Sequence, residues 1–306
     1  MSILNQKTIK EKITINGIGL HTGQRAQINL VPSAPNTGIT FKRTDLNKNN
    51  LITPTFDNVT ETNLCTTLSN EHGIKVSTVE HLMGALYGLG IDNLLVETNS
   101  QELPILDGSA KIFVEKILSS GIRSSSSPIK LIKINKKVSY FDGQKSISID
   151  VSKVSSEIDF EIKYSNKVIA NQKNKINIFN DDLNDIFESR TFCLYEDVEK
   201  LKSAGLAQGG SLDNAIVVGQ DKILNENGLR NEKEFVNHKI LDCMGDLYLS
   251  GYRIIGSLLT SQGGHGLTNK LLRKLFSDKS NFKVIEIKEK TLPYQILDRS
   301  YLKSIA

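Results

Sequence analysis

The chain has 306 residues, 39% hydrophobic and 24% charged, the proportions of a folded protein with room for two ordinary domains and not of a disordered one. Its 38 basic and 34 acidic residues leave a net charge of +4 without a long basic run or interleaved aromatics. Nucleic acid is therefore excluded as the expected partner, while a small anionic substrate suits the sign. The start, Met1-Ser2-Ile3-Leu4-Asn5-Gln6-Lys7, has neither an apolar core nor a small-residue cleavage site, and no run of about 18 apolar residues follows. A cytoplasmic protein without stable membrane insertion is expected.

In chain order, residues 8–31 and 38–68 read as short strands with turns, 77–87 as a helix, 91–97 as a strand and 109–119 as a second helix. Gly121-Ile122-Arg123-Ser124-Ser125-Ser126-Ser127-Pro128 reads as a linker. The order then recurs. Strands fill 129–151 around an Asp142-Gly143 turn, another covers 158–164, and a helix lies near 198–204. A long helix over 232–249, a strand over 253–259 and a helix over 267–276 follow. The expected organisation is a first α+β domain (1–123), a Ser-rich linker (124–128), a second α+β domain (129–278) and a C-terminal segment (279–306) that matches no pattern. Cys65, Cys193 and Cys243 are odd in number and far apart, which points to neither disulfides nor a thiolate metal site.

A short repeat supports the division. Met83-Gly84-Ala85-Leu86-Tyr87-Gly88-Leu89-Gly90 matches Met244-Gly245-Asp246-Leu247-Tyr248-Leu249-Ser250-Gly251 at five of eight positions, each ending a helix before a strand. Two residues before the shared methionine stand His81 and Asp242. Related halves packed together would bring these side chains to an interface, where small-molecule sites tend to form.

The long helix carries the strongest chemical signal. His238, Asp242 and Asp246 recur every four residues and share one face, opposite a stripe of Val236, Ile240, Met244 and Leu247. The ionisable face is expected not to be the core face. A solvated surface usually carries Lys, Glu and Gln; His and Asp are weaker helix formers, which favours a metal or catalytic face. His81, His238 and Asp242 give two imidazoles and one carboxylate with room for a water, the ligand pattern of a catalytic zinc. Glu80, beside His81, suits a general base near that water, although a surface residue or a charge at a helix N-terminus reads the same way. His265 sits between glycines in Gly263-Gly264-His265-Gly266 and is either a catalytic side chain on a pinched loop or a residue tolerated in a turn. Paired with Asp246, it would be held as an imidazolium. His72, in a turn, is expected to be exposed. Gly17-Ile18-Gly19-Leu20-His21-Thr22-Gly23 has the wrong spacing for a dinucleotide fingerprint. Gly209-Gly210-Ser211 is either a turn or a place of close approach to a ligand.

Six segments together resemble a known family over residues 13–276. They are Gly17 to Gly23 as above, Val79-Glu80-His81-Leu82-Met83-Gly84-Ala85-Leu86, Leu103-Pro104-Ile105-Leu106-Asp107-Gly108-Ser109-Ala110, Ser189-Arg190-Thr191-Phe192, the run from Phe235 to Asp246, and Gly264-His265-Gly266-Leu267-Thr268-Asn269-Lys270. The chain resembles the UDP-3-O-acyl-N-acetylglucosamine deacetylases of lipid A biosynthesis. That resemblance implies two similar α+β domains in a layered β-α-α-β sandwich with the active site at their interface. It implies Zn2+ on His81, His238 and Asp242, Glu80 as general base, and His265 as a cationic acid supported by Asp246. Thr191 resembles a residue that stabilises the oxyanion, and Lys239 one near the substrate's phosphates. The implied reaction hydrolyses the 2-acetamido group of an acylated UDP-sugar, giving acetate and an amine, in a monomer. The resemblance further implies an apolar passage for the acyl chain, which that family forms with an insertion in the second domain; its equivalent here runs through Phe192, Leu194, Val198, Ala207, Ser211, Ala215 and Val217, with Leu64 also touching substrate. Two other readings stay open: a zinc amidohydrolase of another N-acetyl sugar, and a catalytically silent binder with a structural metal.

Overall fold

The computed structural model describes residues 5–286. The first half runs β1 (Asn5–Ile9), β2 (Ile13–Ile18), β3 (Arg25–Pro32), β4 (Ile39–Arg43), β5 (Leu51–Ile52), β6 (Val59–Glu61), β7 (Thr67–Ser69) and β8 (Lys75–Ser77). Helix α1 (Glu80–Leu89), β9 (Leu94–Thr98) and helix α2 (Lys111–Ser120) complete it. The second half begins with β10 (Ile122–Pro128), β11 (Lys130–Ile134), β12 (Val138–Asp142), β13 (Lys145–Asp150), β14 (Ser156–Lys163) and β15 (Asn171–Asn177). After α3 (Asn184–Glu188) come β16 (Phe192–Leu194), α4 (Tyr195–Ser203) and β17 (Ile216–Val218), then α5 (Glu234–Tyr248), β18 (Arg253–Ser261), α6 (His265–Phe276) and β19 (Phe282–Glu286).

Alternation of apolar and polar side chains makes the strands. In β3, Ala26, Ile28 and Leu30 are buried between the outward Gln27 and Asn29; in β14, Ile158, Phe160 and Ile162 alternate with Glu157, Asp159 and Glu161. The first sheet has the order β2-β3-β9-β4-β5. In the second, β18 pairs with β11 along its first part, then with β13 and β14 along the rest, while β12, β15 and β19 extend the sheet outward. Helices α5 and α6 lie on this second sheet, α2 lies on α1 and β2, and α1 crosses directly on α5. The result is the α+β sandwich, with a helix pair between two sheets.

Three features depart from the sequence reading. The Ser-rich segment is a strand and not a loose linker, because β10 pairs antiparallel with β1 from Asn5↔Pro128 to Ile9↔Ile122. Backbone pairing needs no apolar alternation, so serines that read as a linker serve equally well at a sheet edge. The second sheet also runs past residue 278, because β19 pairs antiparallel with the whole of β11; residues 287–306 of the expected C-terminal segment lie outside the described residues. Finally, the ionisable face of α5 is buried. His238, Asp242 and Asp246 are each at most 4% exposed, because α1 covers the side of the helix that the second sheet does not.

Candidate active site

Glycine sets the distance between α1 and α5. A Cβ on Gly84 would lie 2.8 Å from Leu241 Cδ1, and one on Gly245 would collide with the Glu80 carbonyl oxygen, so both helices approach through their repeated Met-Gly pair. The repeat is visible in space. Tyr87 and Tyr248, at matching positions, stack edge to face at 5.1 Å, and each crosses to the other half: Tyr248 Oη donates to the Ile91 carbonyl (2.6 Å) and Tyr87 Oη accepts from Ile254 N (3.1 Å). Both helices end near a glycine in the left-handed region, Gly90 (φ 68°) and Gly251 (φ 76°).

Two turns up from the tyrosines, this crossing joins His81 of α1 to His238 and Asp242 of α5. Asp242 Oδ1 lies 3.5 Å from His81 Nε2 and 3.4 Å from His238 Nε2, and the three ligand atoms fall within 4.8 Å of one another. Three observations fit this set to a cation. Asp242 Oδ1 is buried with no hydrogen-bond partner, which is costly unless something else satisfies it. His238 Nδ1 sits 3.0 Å from the Ser189 carbonyl and, donating to it, leaves Nε2 as a free lone pair. Burial pushes His238 down to about 3, so the ring is neutral and ready to ligate.

Glu80, His265 and Asp246 surround this group. Glu80 is buried, its Oε2 accepts from Thr66 N (3.0 Å), and burial raises its pKa above the usual carboxylate range. Asp246 Oδ2 lies 2.8 Å from His265 Nδ1, and Asp246 Oδ1 accepts from Thr66 Oγ1 at 2.6 Å. Burial opposes the His265 charge, but the Asp246 carboxylate outweighs it and holds the ring up at about 9. His265 is the first residue of α6 and not part of the preceding loop. Thr66, which ties Glu80 to Asp246, was missed from sequence, because its role lies in hydrogen bonds to residues distant in the chain that leave no local pattern. Cys65 itself is no thiolate, since burial pushes it up to about 12.

Thr191 is positioned through its neighbour Arg190, which forms a buried pair with Glu234 at the start of α5: Nε to Oε1 2.8 Å and Nη2 to Oε2 3.1 Å. The pair pins the Ser189-Arg190-Thr191 segment beside α5, which puts the Ser189 carbonyl on His238. Thr191 is held further by its N–H to the Gly108 carbonyl and by Ile216 N to its own carbonyl, both 2.8 Å. Lys239, one turn N-terminal to Asp242 on α5, donates to Asp242 Oδ2 at 2.7 Å and lies 5.7 Å from the Phe192 ring centre.

A cavity of about 840 Å³ opens beside the buried group. Phe192, Val198, Ala207, Ser211, Ala215 and Val217 line it, as does the half-exposed Leu64. Leu194 is absent from its wall and packs on the core instead. Leu20, His21, Leu64, Thr191, Lys239 and His265 line both this cavity and the narrow space at His81, His238 and Asp242, so the two are joined. Lys145 and Lys270 bring further positive charge to the cavity. His72 is exposed as expected. Among the described residues, no helix is long and apolar enough to cross a membrane.

A family model described as UDP-3-O-acyl N-acetylglycosamine deacetylase matches residues 6–277. Curated relatives carry the name UDP-3-O-acyl-N-acetylglucosamine deacetylase. One from Actinobacillus succinogenes is 43% identical over 293 residues, covering 94% of this chain and 96% of its own. One from Haemophilus ducreyi is 41% identical over 286 residues (92% and 94%), and one from Haemophilus influenzae 40% over 303 residues (94% and 95%).

Proposed function

The chain belongs to the UDP-3-O-acyl N-acetylglycosamine deacetylase family, and from that premise we propose that it hydrolyses the 2-acetamido group of UDP-3-O-(3-hydroxyacyl)-N-acetylglucosamine, a step of lipid A biosynthesis. The observation that carries the reading is the unpartnered Asp242 Oδ1 facing two imidazole Nε2 atoms, with a buried carboxylate and a carboxylate-paired imidazole beside them. His81, His238 and Asp242 would hold Zn2+, which lowers the pKa of a water towards about 7 and polarises a carbonyl.

The remaining chemistry belongs to the chain. Glu80, raised by burial yet ionisable, takes the proton of the attacking water. Thr191 stabilises the oxyanion of the tetrahedral intermediate. His265, held protonated by Asp246, gives a proton to the departing glucosamine nitrogen, so acetate and a free amine leave. Lys239 lies near the diphosphate, and the joined cavity takes the acyl chain along Phe192, Ala207, Ser211 and Ala215. That apolar cavity favours this reading over an amidohydrolase of a short N-acetyl sugar. The same reading takes the two halves as the two units of a cytoplasmic monomer, the first over residues 1–123 and the second from 129 on through β19.

The test is acetate release from the acylated UDP-sugar against the same sugar without its acyl group. Strong preference for the acylated substrate supports the proposal; equal rates move it to the simpler amidohydrolase.

A further inference from the structure

The two glycine motifs without a catalytic role, Gly17 to Gly23 and Gly209-Gly210-Ser211, meet each other. Gly209 N donates to the Leu20 carbonyl at 3.0 Å and Gln208 N to the His21 carbonyl at 3.1 Å. A Cβ on Gly209 would strike the Gly19 carbonyl oxygen and stand 3.2 Å from Gly23 Cα; one on Gly23, at φ 65°, would stand 3.2 Å from Gln208. Only glycine allows this approach of backbone to backbone.

Each side of the contact is anchored to a different half. The hairpin loop between β2 and β3 is held by the fully buried Glu102, which accepts from His21 N (2.8 Å), Thr22 N (2.8 Å), Thr22 Oγ1 (2.7 Å) and Thr78 Oγ1 (3.1 Å). Glu102 was not visible as a structural hub in the sequence. On the other side, Gln208 Nε2 donates to the Lys202 carbonyl at 3.0 Å, tying the contact to the end of α4. Helix α4 has no buried residue of its own, yet Val198, Leu201 and Lys202 from it wall the large cavity. Its place over the cavity therefore rests on its ends: β16 at the start and the 208–209 segment at the finish.

We infer that the Gly19–Gly209 contact is a clasp that fixes the α4 wall of the cavity against Leu20 and His21 and so positions the acyl chain of the substrate. The inference rests on the acyl-UDP-sugar reading above. Leu20 and His21 line both the cavity and the metal space, so opening the clasp widens the neck through which the sugar and its acyl chain are joined. Gly19, Gly23, Gln208 and Gly209 are positioning residues: they touch neither the metal group nor the reacting amide.

The experiment compares wild type with Gly209→Ala, and with Gly23→Asn as a milder wedge, since asparagine tolerates the left-handed conformation. KM and kcat are measured for long-chain and short-chain 3-O-acyl substrates. Metal content and the binding of a free long-chain fatty acid are measured alongside. The clasp predicts a rise in KM for the long-chain substrate, and in the fatty-acid Kd, on the order of tenfold. It also predicts retained kcat, full metal content and little change in short-chain kcat/KM. Equal losses on both substrates, or loss of kcat with KM unchanged, overturn it. Wild type that binds no fatty acid and treats both chain lengths alike overturns the acyl reading itself, and the inference with it.

Discussion

His81 and Asp242, from opposite halves of the chain, meet with Nε2 3.5 Å from Oδ1 where α1 crosses α5. Neither half can build the site alone, so binding a cation there should be coupled to the docking of the halves. A ligand that binds only the folded protein adds about 2.7 kcal/mol at a hundredfold excess over its Kd. Zinc should therefore raise the melting temperature of the metal-stripped protein. Asp242→Ala should abolish that rise, and a variant that keeps it would place the metal elsewhere.

Glu80 is next to His81, a proposed ligand, but has its own partner in Thr66 N. Glu80→Gln preserves that hydrogen bond and removes the base. Turnover should fall by about 10²- to 10⁴-fold with metal content unchanged; activity near wild type would remove Glu80 from the role.

The pH profile follows from the directions of two shifts. His265 stays protonated below about 9 and loses its proton as pH rises through that value, so kcat/KM should fall on the basic side there. Glu80 works ionised and burial raises it, so kcat/KM should also fall on the acid side, above the ordinary carboxylate range. Asp246→Asn takes away the counter-charge and should move the basic limb down towards the ordinary imidazole value of about 6.5. A basic limb that does not move would assign it to another group.

Gly245→Ala tests the helix crossing. Alanine is favoured over glycine in a helix by about 0.5–1 kcal/mol, but here the added Cβ collides with the Glu80 carbonyl. Overpacking of this kind costs about 1–3 kcal/mol, so the variant should melt lower and bind metal more weakly. Equal melting and equal metal affinity would show that the crossing is not set by this contact.

The site was legible in the sequence where it depends on helix periodicity. His238, Asp242 and Asp246 share a face because of the four-residue spacing, and the repeat around Met83 and Met244 brought His81 to Asp242. What the spacing did not reveal is what covers that face. A polar stripe looks solvated until a second helix with its own polar residues is known to lie against it, and only Gly84 and Gly245 hint at so close an approach. Strand β10 escaped notice because its partner β1 supplies the pattern that four serines lack. Thr66 and Glu102 were missed because their importance lies in long-range hydrogen bonds to Asp246 and to the His21-Thr22 backbone, which leave no local periodicity.

The most direct measurement is acetate release from UDP-3-O-(3-hydroxyacyl)-N-acetylglucosamine by the purified protein, as isolated, after verified removal of metal by a chelator, and after return of about one equivalent of zinc. Activity lost on stripping and restored by zinc is the predicted result. Full activity in the stripped protein would contradict a metal held by His81, His238 and Asp242, and no release in any state would contradict the deacetylase reading.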